Sequence, residues 1–344
     1  MTHPEERGAS APAPAPAALT GRRAVVLAAG AAVLSACSDD DEPLGGARRR
    51  RRRSPGEETA RRTEGPGQTV LTQGDLDDVA ARLTDLLDGE DVQAFLAYAR
   101  PSDPGAWRRM WTGLHSVPTV DRRFVLQPAR EGWRNRRGGP VNAVVRGVVA
   151  YRVDGCDAQP MAHLCDLSVF KAPDGAVRVQ TLGPLRDEGA APWLLAPVAA
   201  VTGGNVVLIS RASDAATARR ILPQVDGGAG RALAFIPPPT GVSKVCVTLG
   251  WPGAEDTLYG GSSGEFVGSA HSYRYVDPQQ LAATGRRGSG ETFQGSRVVI
   301  EPGAMIAQGA EAVTAHESIH ALAFQWGRGA QPLYAEGLAR YARV

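Results

Sequence analysis

Residues 314–341 read TAHESIHALAFQWGRGAQPLYAEGLARY and contain two histidines four positions apart. An α-helix turns by about 400° and rises about 6 Å over four residues, so His316 and His320 project from one helix face and can reach one ion. Glu317 stands one position further round the helix, where its carboxylate can reach a water molecule on that ion. The spacing therefore predicts a metal site with an adjacent general base.

A third ligand is expected from the same stretch, because catalytic zinc ions usually have three protein ligands. The helix is predicted to run to about Trp326, and Pro332 suits the start of a second helix that brings Glu336 back to the histidines. We therefore expect His316, His320 and Glu336 to bind one Zn²⁺ ion. The alternative is an alanine-rich amphipathic helix without a metal, although the HExxH spacing rarely arises by chance.

The stretch PLYAEGLARY at 332–341 resembles the second zinc-binding helix of gluzincin metallopeptidases. On this basis residues 192–344 look like the peptidase MA-like domain of bacterial lipoproteins. The resemblance implies a zincin-like α/β domain and a zinc-dependent peptidase that hydrolyses an unidentified peptide or protein. It also implies the residue roles, with metal ligands His316, His320 and Glu336 and the general base Glu317.

The sequence departs from gluzincins at its end. The chain stops eight residues after Glu336, whereas gluzincins commonly continue through helices that supply an oxyanion donor. The departure predicts a truncated or weak enzyme, or a non-catalytic lipoprotein that keeps the metal helix for structure or ligand binding. An intact Glu317 favours catalysis, because a structural site has no use for a base. Residues that could replace the missing donor, or be only packing or surface residues, are His271, Tyr273, Tyr275 and Tyr334.

The segment from about residue 192 to the metal helix predicts a mixed α/β arrangement. Short apolar runs such as NVVLIS and KVCVTLG are typical of strands, and DAATARRILPQV is typical of a helix. The run SRVVIEP at 296–302 is either an edge strand that pairs with a peptide substrate or an ordinary sheet strand. The metal helix is expected to begin near Met305.

Residues 69–188 are predicted to form a first α+β domain. Two helices open it, and the runs RRFVLQP, NAVVRGVVAYRV, AHLCDLSVFKA and AVRVQTLG follow as strands, the last two separated by a turn at Pro173-Asp174-Gly175. Helices followed by an antiparallel sheet resemble the NTF2-like cone. Such a domain either encloses a ligand pocket or serves as a spacer.

Three cysteines fall in the predicted folded part. Cys156 and Cys165 lie at the facing ends of two predicted strands, so they either form a disulfide in an oxidising compartment or remain free thiols. Their spacing does not fit a zinc knuckle. Cys246 lies within a strand pattern and is most simply a buried small side chain.

The N-terminus is typical of an exported protein. Arg22 and Arg23 precede thirteen apolar or small residues, too few to span a bilayer, and Leu34-Ser35-Ala36-Cys37 resembles the lipobox of bacterial lipoproteins. Residues 1–37 are therefore predicted to be a lipoprotein signal peptide with Cys37 as the lipidated residue. The alternative is an ordinary secretory signal with a chance cysteine, and the export route, general or twin-arginine, stays open. We expect the protein at the extracytoplasmic face of the cell membrane.

Residues 38–68 contain almost no apolar side chains and are predicted to form a disordered tether. Six consecutive arginines at 48–53 either contact anionic lipid or wall polymer, or are simply solvated. Without that run no basic excess remains, and the basic residues are not interleaved with aromatic ones. Nucleic acid is therefore not an expected partner.

Overall fold

The computed structural model describes residues 67–186, 191–254, 257–259, 268–274, 276–286, 292–323 and 332–341. They belong to one compact unit, residues 62–344. Helices and strands are mixed along the chain, so the predicted α+β class is confirmed. The predicted signal peptide with Cys37, and nearly all of the predicted tether, lie outside the described residues. Within the described ranges, no helix has both the length and the apolar character needed to cross a membrane.

The first half of the fold contains three helices and six strands. In chain order these are β1 Thr69–Val70, α1 Gln73–Asp88, α2 Val92–Ala99, α3 Pro104–Ser116, β2 Thr119–Leu126, β3 Arg134–Asn135, β4 Val141–Val153, β5 Met161–Lys171 and β6 Val177–Leu182. The long strands form an antiparallel sheet in the order β2-β4-β5-β6, and β1 pairs with β3 separately. The predicted strands and the turn at Gly175, whose φ is +91°, are confirmed.

Helix α3 is an element that the sequence analysis missed, although its signals are local. The Asp103 side chain accepts a hydrogen bond from the Ala106 amide, and Pro104 occupies the first turn. Its buried face has helical spacing and consists of Trp107, Met110, Trp111 and Leu114. The first half therefore opens with three helices instead of the predicted two.

Within the described residues, the second half contains a five-stranded sheet and six helices. In chain order these are α4 Pro192–Leu195, β7 Val198–Thr202, β8 Val206–Arg211, α5 Ala215–Phe235, β9 Val245–Leu249, β10 Gly268–Arg274, α6 Pro278–Thr284, β11 Phe293–Ile300, α7 Pro302–Gln308, α8 Ala310–Ala323 and α9 Pro332–Tyr341. The strand order is β10-β11-β9-β8-β7. The pairs β8/β9 and β9/β11 are parallel, and the two outer pairs are antiparallel.

The strand order settles which reading of SRVVIEP is right. This run forms most of β11, which lies between β10 and β9 and is therefore an inner strand. Of the two alternatives for 296–302, the ordinary sheet strand is therefore the correct one, because β10 pairs with β11 in antiparallel register and covers its other edge. Among the strands that the structure describes, β10 is the edge strand on this side.

Helices α5 and α8 cover one face of the five-stranded sheet. Their apolar side chains share a buried cluster with residues of β8, β9 and β11. Gly228 of α5 lies directly against the Glu311 carbonyl and the Thr314 side chain of α8, where a Cβ atom would clash. The small residues of α5 thus let α8 approach closely.

The opposite face of the five-stranded sheet contacts the first half of the chain. Val207, Ile209 and Cys246 belong to the same buried cluster as the core of α1, α3 and the four-stranded sheet. The turn after β4 also contacts the segment just before β9, since the Gly155 carbonyl accepts hydrogen bonds from the Ser243 and Lys244 amides at 2.7 and 2.9 Å. The division into domains 69–188 and 192–344 stays a prediction, and residues 187–190 at its boundary lie outside the description.

The predicted disulfide between Cys156 and Cys165 is not formed, and both residues are buried free thiols. Cys165 lies opposite Gly147 in the β4/β5 pair. Cys156 follows in the turn after β4, where its thiol lies next to that of Cys246. The turn directs Cys156 toward β9 of the other sheet, so the two cysteines nearest in sequence are not the two that meet.

This arrangement predicts how the cysteines oxidise. We expect refolding in a mixture of reduced and oxidised glutathione to join Cys156 to Cys246, with both thiol hydrogens and two electrons passing to oxidised glutathione. Burial raises the pKa of Cys156, and the neighbouring Cys156 thiol lowers the pKa of Cys246. Peptide mapping should find this link and a free Cys165. Cys165→Ala should leave the link intact, and a linked Cys156–Cys165 peptide would contradict the fold.

Candidate metal centre

The metal-binding motif lies on α8, which is buried along most of its length. The predicted single helix from near Met305 is instead two helices, α7 and α8. Gly309 separates them with a φ of +85°, a conformation that side chains rarely adopt. This break lets α8 run beside α5 over the sheet independently of the direction of α7.

The structure brings the three predicted metal ligands together. The Nε2 atoms of His316 and His320 lie 3.2 Å apart, which one helical turn between them explains. Glu336 places Oε1 3.4 Å from His320 Nε2 and Oε2 4.0 Å from His316 Nε2. One ligand atom from each residue fits within 4.8 Å of the others.

These distances test whether the three residues fit a metal ion. Two ligand atoms at about 2.0–2.1 Å from a tetrahedral zinc ion are about 3.3 Å apart. The spacings of 3.2 Å between the imidazoles and 3.4 Å to the carboxylate agree with this value. Rotation of the Glu336 carboxylate can shorten the remaining 4.0 Å separation. The residues His316, His320 and Glu336 can therefore hold a metal ion.

Glu336 reaches the histidines because α9 packs against α8. Pro332 begins α9, as predicted, and Ala339 is buried in a cluster with Ile319 of α8. The Glu336 side chain is 48 % exposed, so the ion would be open to solvent on this side. Arg340, one turn further along α9, places its Nε 3.8 Å from Glu336 Oε2.

Glu317 lies beside the ligand set. Its Oε1 atom is 4.0 Å from His316 Nε2, and its side chain is only 11 % exposed. Gly268 at the start of β10 makes room for it, since a Cβ atom there would be 2.7 Å from Glu317 Cγ. Gly268 was not among the predicted site residues, and its only local signal is a glycine at a strand end.

His271 does not face the metal centre, so the suggestion that it supplies an oxyanion donor was wrong. Neighbouring residues of a strand point to opposite faces, and Ala270 packs into the cluster beneath α5 and α8. The His271 ring instead contacts Ser269 Oγ at 2.9 Å and the Tyr259 ring on the other face, where burial lowers its pKa. Tyr275 and the side chains of Tyr273 and Tyr334 lie outside the description.

The geometry of the metal centre thus depends on four residues of the predicted set, namely His316, Glu317, His320 and Glu336. The chain was compared with protein-family models, with curated proteins and with solved structures, and none of these matches it.

Proposed function

We propose that the chain is a membrane-anchored extracytoplasmic zinc metallopeptidase of the gluzincin type. In this proposal residues 192–344 are the zincin-like domain, and residues 69–188 are an NTF2-like domain that supports it. One observation carries the proposal: a carboxylate on α9 meets both histidines of α8, and Glu317 stands beside them. Structural zinc sites are usually closed by four protein ligands, whereas three ligands with a carboxylate beside them are typical of a catalytic site that keeps a water in the fourth position.

The proposed roles follow from the positions of the side chains. Zinc held by His316, His320 and Glu336 would lower the pKa of a bound water and polarise the scissile carbonyl. Glu317 is close enough to the ligand set to accept the proton of that water and pass it to the leaving amine. Its carboxylate is largely buried, so few competing solvent molecules reach it.

An extended peptide would bind along β10. This strand has one neighbour, β11, among the described strands, so its other edge can accept a further strand. Gly268 at the start of β10 contacts Glu317, which places this edge beside the proposed base. The substrate strand would thus pair with β10, in place of the predicted pairing with SRVVIEP.

The metal content of purified variants tests the ligand set. We expect His320→Ala and Glu336→Ala to weaken zinc binding at least about tenfold to a hundredfold, the range typical even of the groups that merely orient metal ligands. Competition with a chromogenic chelator measures the affinity. Glu311→Ala is the matched control, because Glu311 is a similarly exposed carboxylate on α8 that pairs with Arg231. Full affinity in Glu336→Ala would show that another residue is the third ligand.

A second candidate function is a lipoprotein that binds the metal without turnover. It is favoured by the orientation of His271, which removes one described candidate for an oxyanion donor. The two functions differ in a single measurement on the purified protein. Zinc binding with no cleavage across a broad peptide library at neutral pH would establish the non-catalytic function.

The anchor is a separate part of the proposal and has its own test. Because Cys37 is the lipobox cysteine, Cys37→Ser should move the protein from the membrane fraction to the soluble fraction. Ser38→Ala, at the neighbouring position, should leave it on the membrane. Unchanged membrane fractionation of Cys37→Ser would refute lipid anchoring without affecting the zinc proposal.

A further inference from the structure

An exposed basic surface lies on the connection between β2 and β4. Residues 128–142 contain four arginines and a single acidic residue, Glu131. All four arginines are exposed. We use the term arginine surface for these residues and the tryptophan among them, namely Arg130, Trp133, Arg134, Arg136 and Arg137.

The charges of the arginine surface are not neutralised within the fold. None of its four arginines forms an ion pair with any residue that the structure describes, whereas Arg122, Arg152 and Arg186 all have carboxylate partners. Residues 132–137 and 140–142 line an open concavity of about 360 Å³. Arg134, Arg136 and Arg137 therefore line one open depression, an arrangement that suits phosphate groups.

Trp133 gives the arginine surface a second property. Its ring is half-buried, and the Arg130 guanidinium lies 5.9 Å from the ring centroid. Tryptophan and arginine together are typical of surfaces at the boundary between lipid headgroups and water, because the indole is amphipathic and the guanidinium binds phosphate. The buried part of Trp133 packs against the core of the first half, which holds the exposed part of the indole at the edge of this surface.

The described chain begins at the arginine surface. Strand β1 pairs with β3, so Thr69 and Val70 lie opposite Asn135 and Arg134. The Leu71 amide donates to the Trp133 carbonyl at 3.0 Å. Whatever precedes residue 67 must therefore reach the fold beside these arginines.

Residues 38–66 separate this point from Cys37. A flexible polar chain of that length, as its composition predicts, has a root-mean-square extension of roughly 30 Å. A lipid on Cys37 would then keep the arginine surface close to the bilayer. We propose that the arginine surface docks on anionic phospholipid headgroups and orients the folded part on the membrane. This inference depends on the proposed lipid anchor and not on the proposed peptidase activity.

Docking in this way would point the metal centre away from the membrane. The arginine surface adjoins the start of β4, a 13-residue strand about 40 Å long, and Asp157 in the turn after its far end bridges to Gly295 of β11 in the five-stranded sheet. Helix α8 lies on the opposite face of that sheet. The proposed active site would consequently serve substrates located some distance from the lipid surface.

Trp133 allows a direct test with the lipidated protein. The protein is reconstituted in phosphatidylcholine vesicles with or without phosphatidylglycerol, using lipids brominated near the headgroup to quench fluorescence. We expect the brominated lipids to quench the Trp133 fluorescence only in vesicles with phosphatidylglycerol, and Trp133→Phe should remove this quenching. High salt should reduce the quenching. An arginine near an anionic surface raises the affinity for that surface about fivefold. The triple variant Arg134→Gln/Arg136→Gln/Arg137→Gln should therefore reduce the affinity of docking on the order of a hundredfold.

The control variant is Arg178→Gln/Arg219→Gln/Arg220→Gln, which removes the same charge elsewhere in the fold and should leave the quenching unchanged. Equal quenching with and without phosphatidylglycerol, or normal quenching in the variant of the arginine surface, would overturn the proposal. Loss of the protein from neutral vesicles would instead show that the lipid anchor is absent. Zinc binding by the same samples reports on the metal centre independently.

Discussion

Glu317→Gln should leave zinc bound and reduce peptide cleavage by about a hundredfold to ten-thousandfold, the usual contribution of a positioned general base. Glutamine has the size and shape of glutamate, so it fits the space beside Gly268, but it cannot accept a proton. The metal should remain because the ligand atoms belong to His316, His320 and Glu336. Zinc content and kcat/KM measured on the same preparation separate binding from chemistry.

Glu311→Gln is the matched control for this experiment. Glu311 lies on the same helix, six positions earlier, and its side chain is 41 % exposed and paired with Arg231. The Glu311→Gln variant should bind zinc and cleave peptide as the unsubstituted protein does. Loss of zinc in Glu317→Gln would mean that Glu317 is a ligand, and unchanged cleavage would mean that another group is the base.

Asp157→Asn should lower the free energy of unfolding by about 3–5 kcal/mol, because it leaves a buried cation without its partner. Arg297 and Asp157 are almost completely buried and form two hydrogen bonds at 2.6 and 2.8 Å. Burial alone would lower the pKa of Arg297, but the Asp157 carboxylate raises it, so the guanidinium stays charged. Asp157 also accepts a hydrogen bond from the Val153 amide.

Urea unfolding at neutral pH measures this effect. Asp154→Asn is the control, because Asp154 lies in the same turn but is exposed, and its substitution should change stability by less than about 0.5 kcal/mol. Asp157→Leu combined with Arg297→Met should recover part of the loss, since no unpaired charge remains. A cost for Asp157→Asn no larger than that for Asp154→Asn would show that this ion pair does not stabilise the fold.

The Asp157–Arg297 pair is also linked to the metal centre through the five-stranded sheet. Arg297 belongs to β11, the strand that holds β10 in register, and β10 carries Gly268 against Glu317. The pair thus connects the turn after β4 to β11, the neighbour of the strand that contacts the proposed base. Neither partner was predicted from the sequence, because an aspartate after a strand and an arginine within a strand are individually ordinary. The two residues are also 140 positions apart.

The local features were predictable from the sequence alone. The four-residue spacing of His316 and His320, the start of α9 at Pro332 and the turn at Gly175 each depend on a few neighbouring residues. Their backbone geometry follows from helix periodicity and from the φ values that proline and glycine permit. Helix α3 was equally predictable, since its Asp103 cap and its apolar spacing are local signals that the analysis did not use.

The tertiary structure alone decided the remaining features. It determined that β11 is an inner strand, that Cys156 meets Cys246 and not Cys165, that His271 faces away from α8, and that Gly268 makes room for Glu317. Each depends on which strands pair and which sheet faces meet, and those choices follow from apolar burial summed over the whole chain. The sequence by itself determined that His316, Glu317 and His320 share one helical turn. Packing of α9 on α8 decided that Glu336 completes the set of metal ligands, because local periodicity does not encode a contact across a chain reversal.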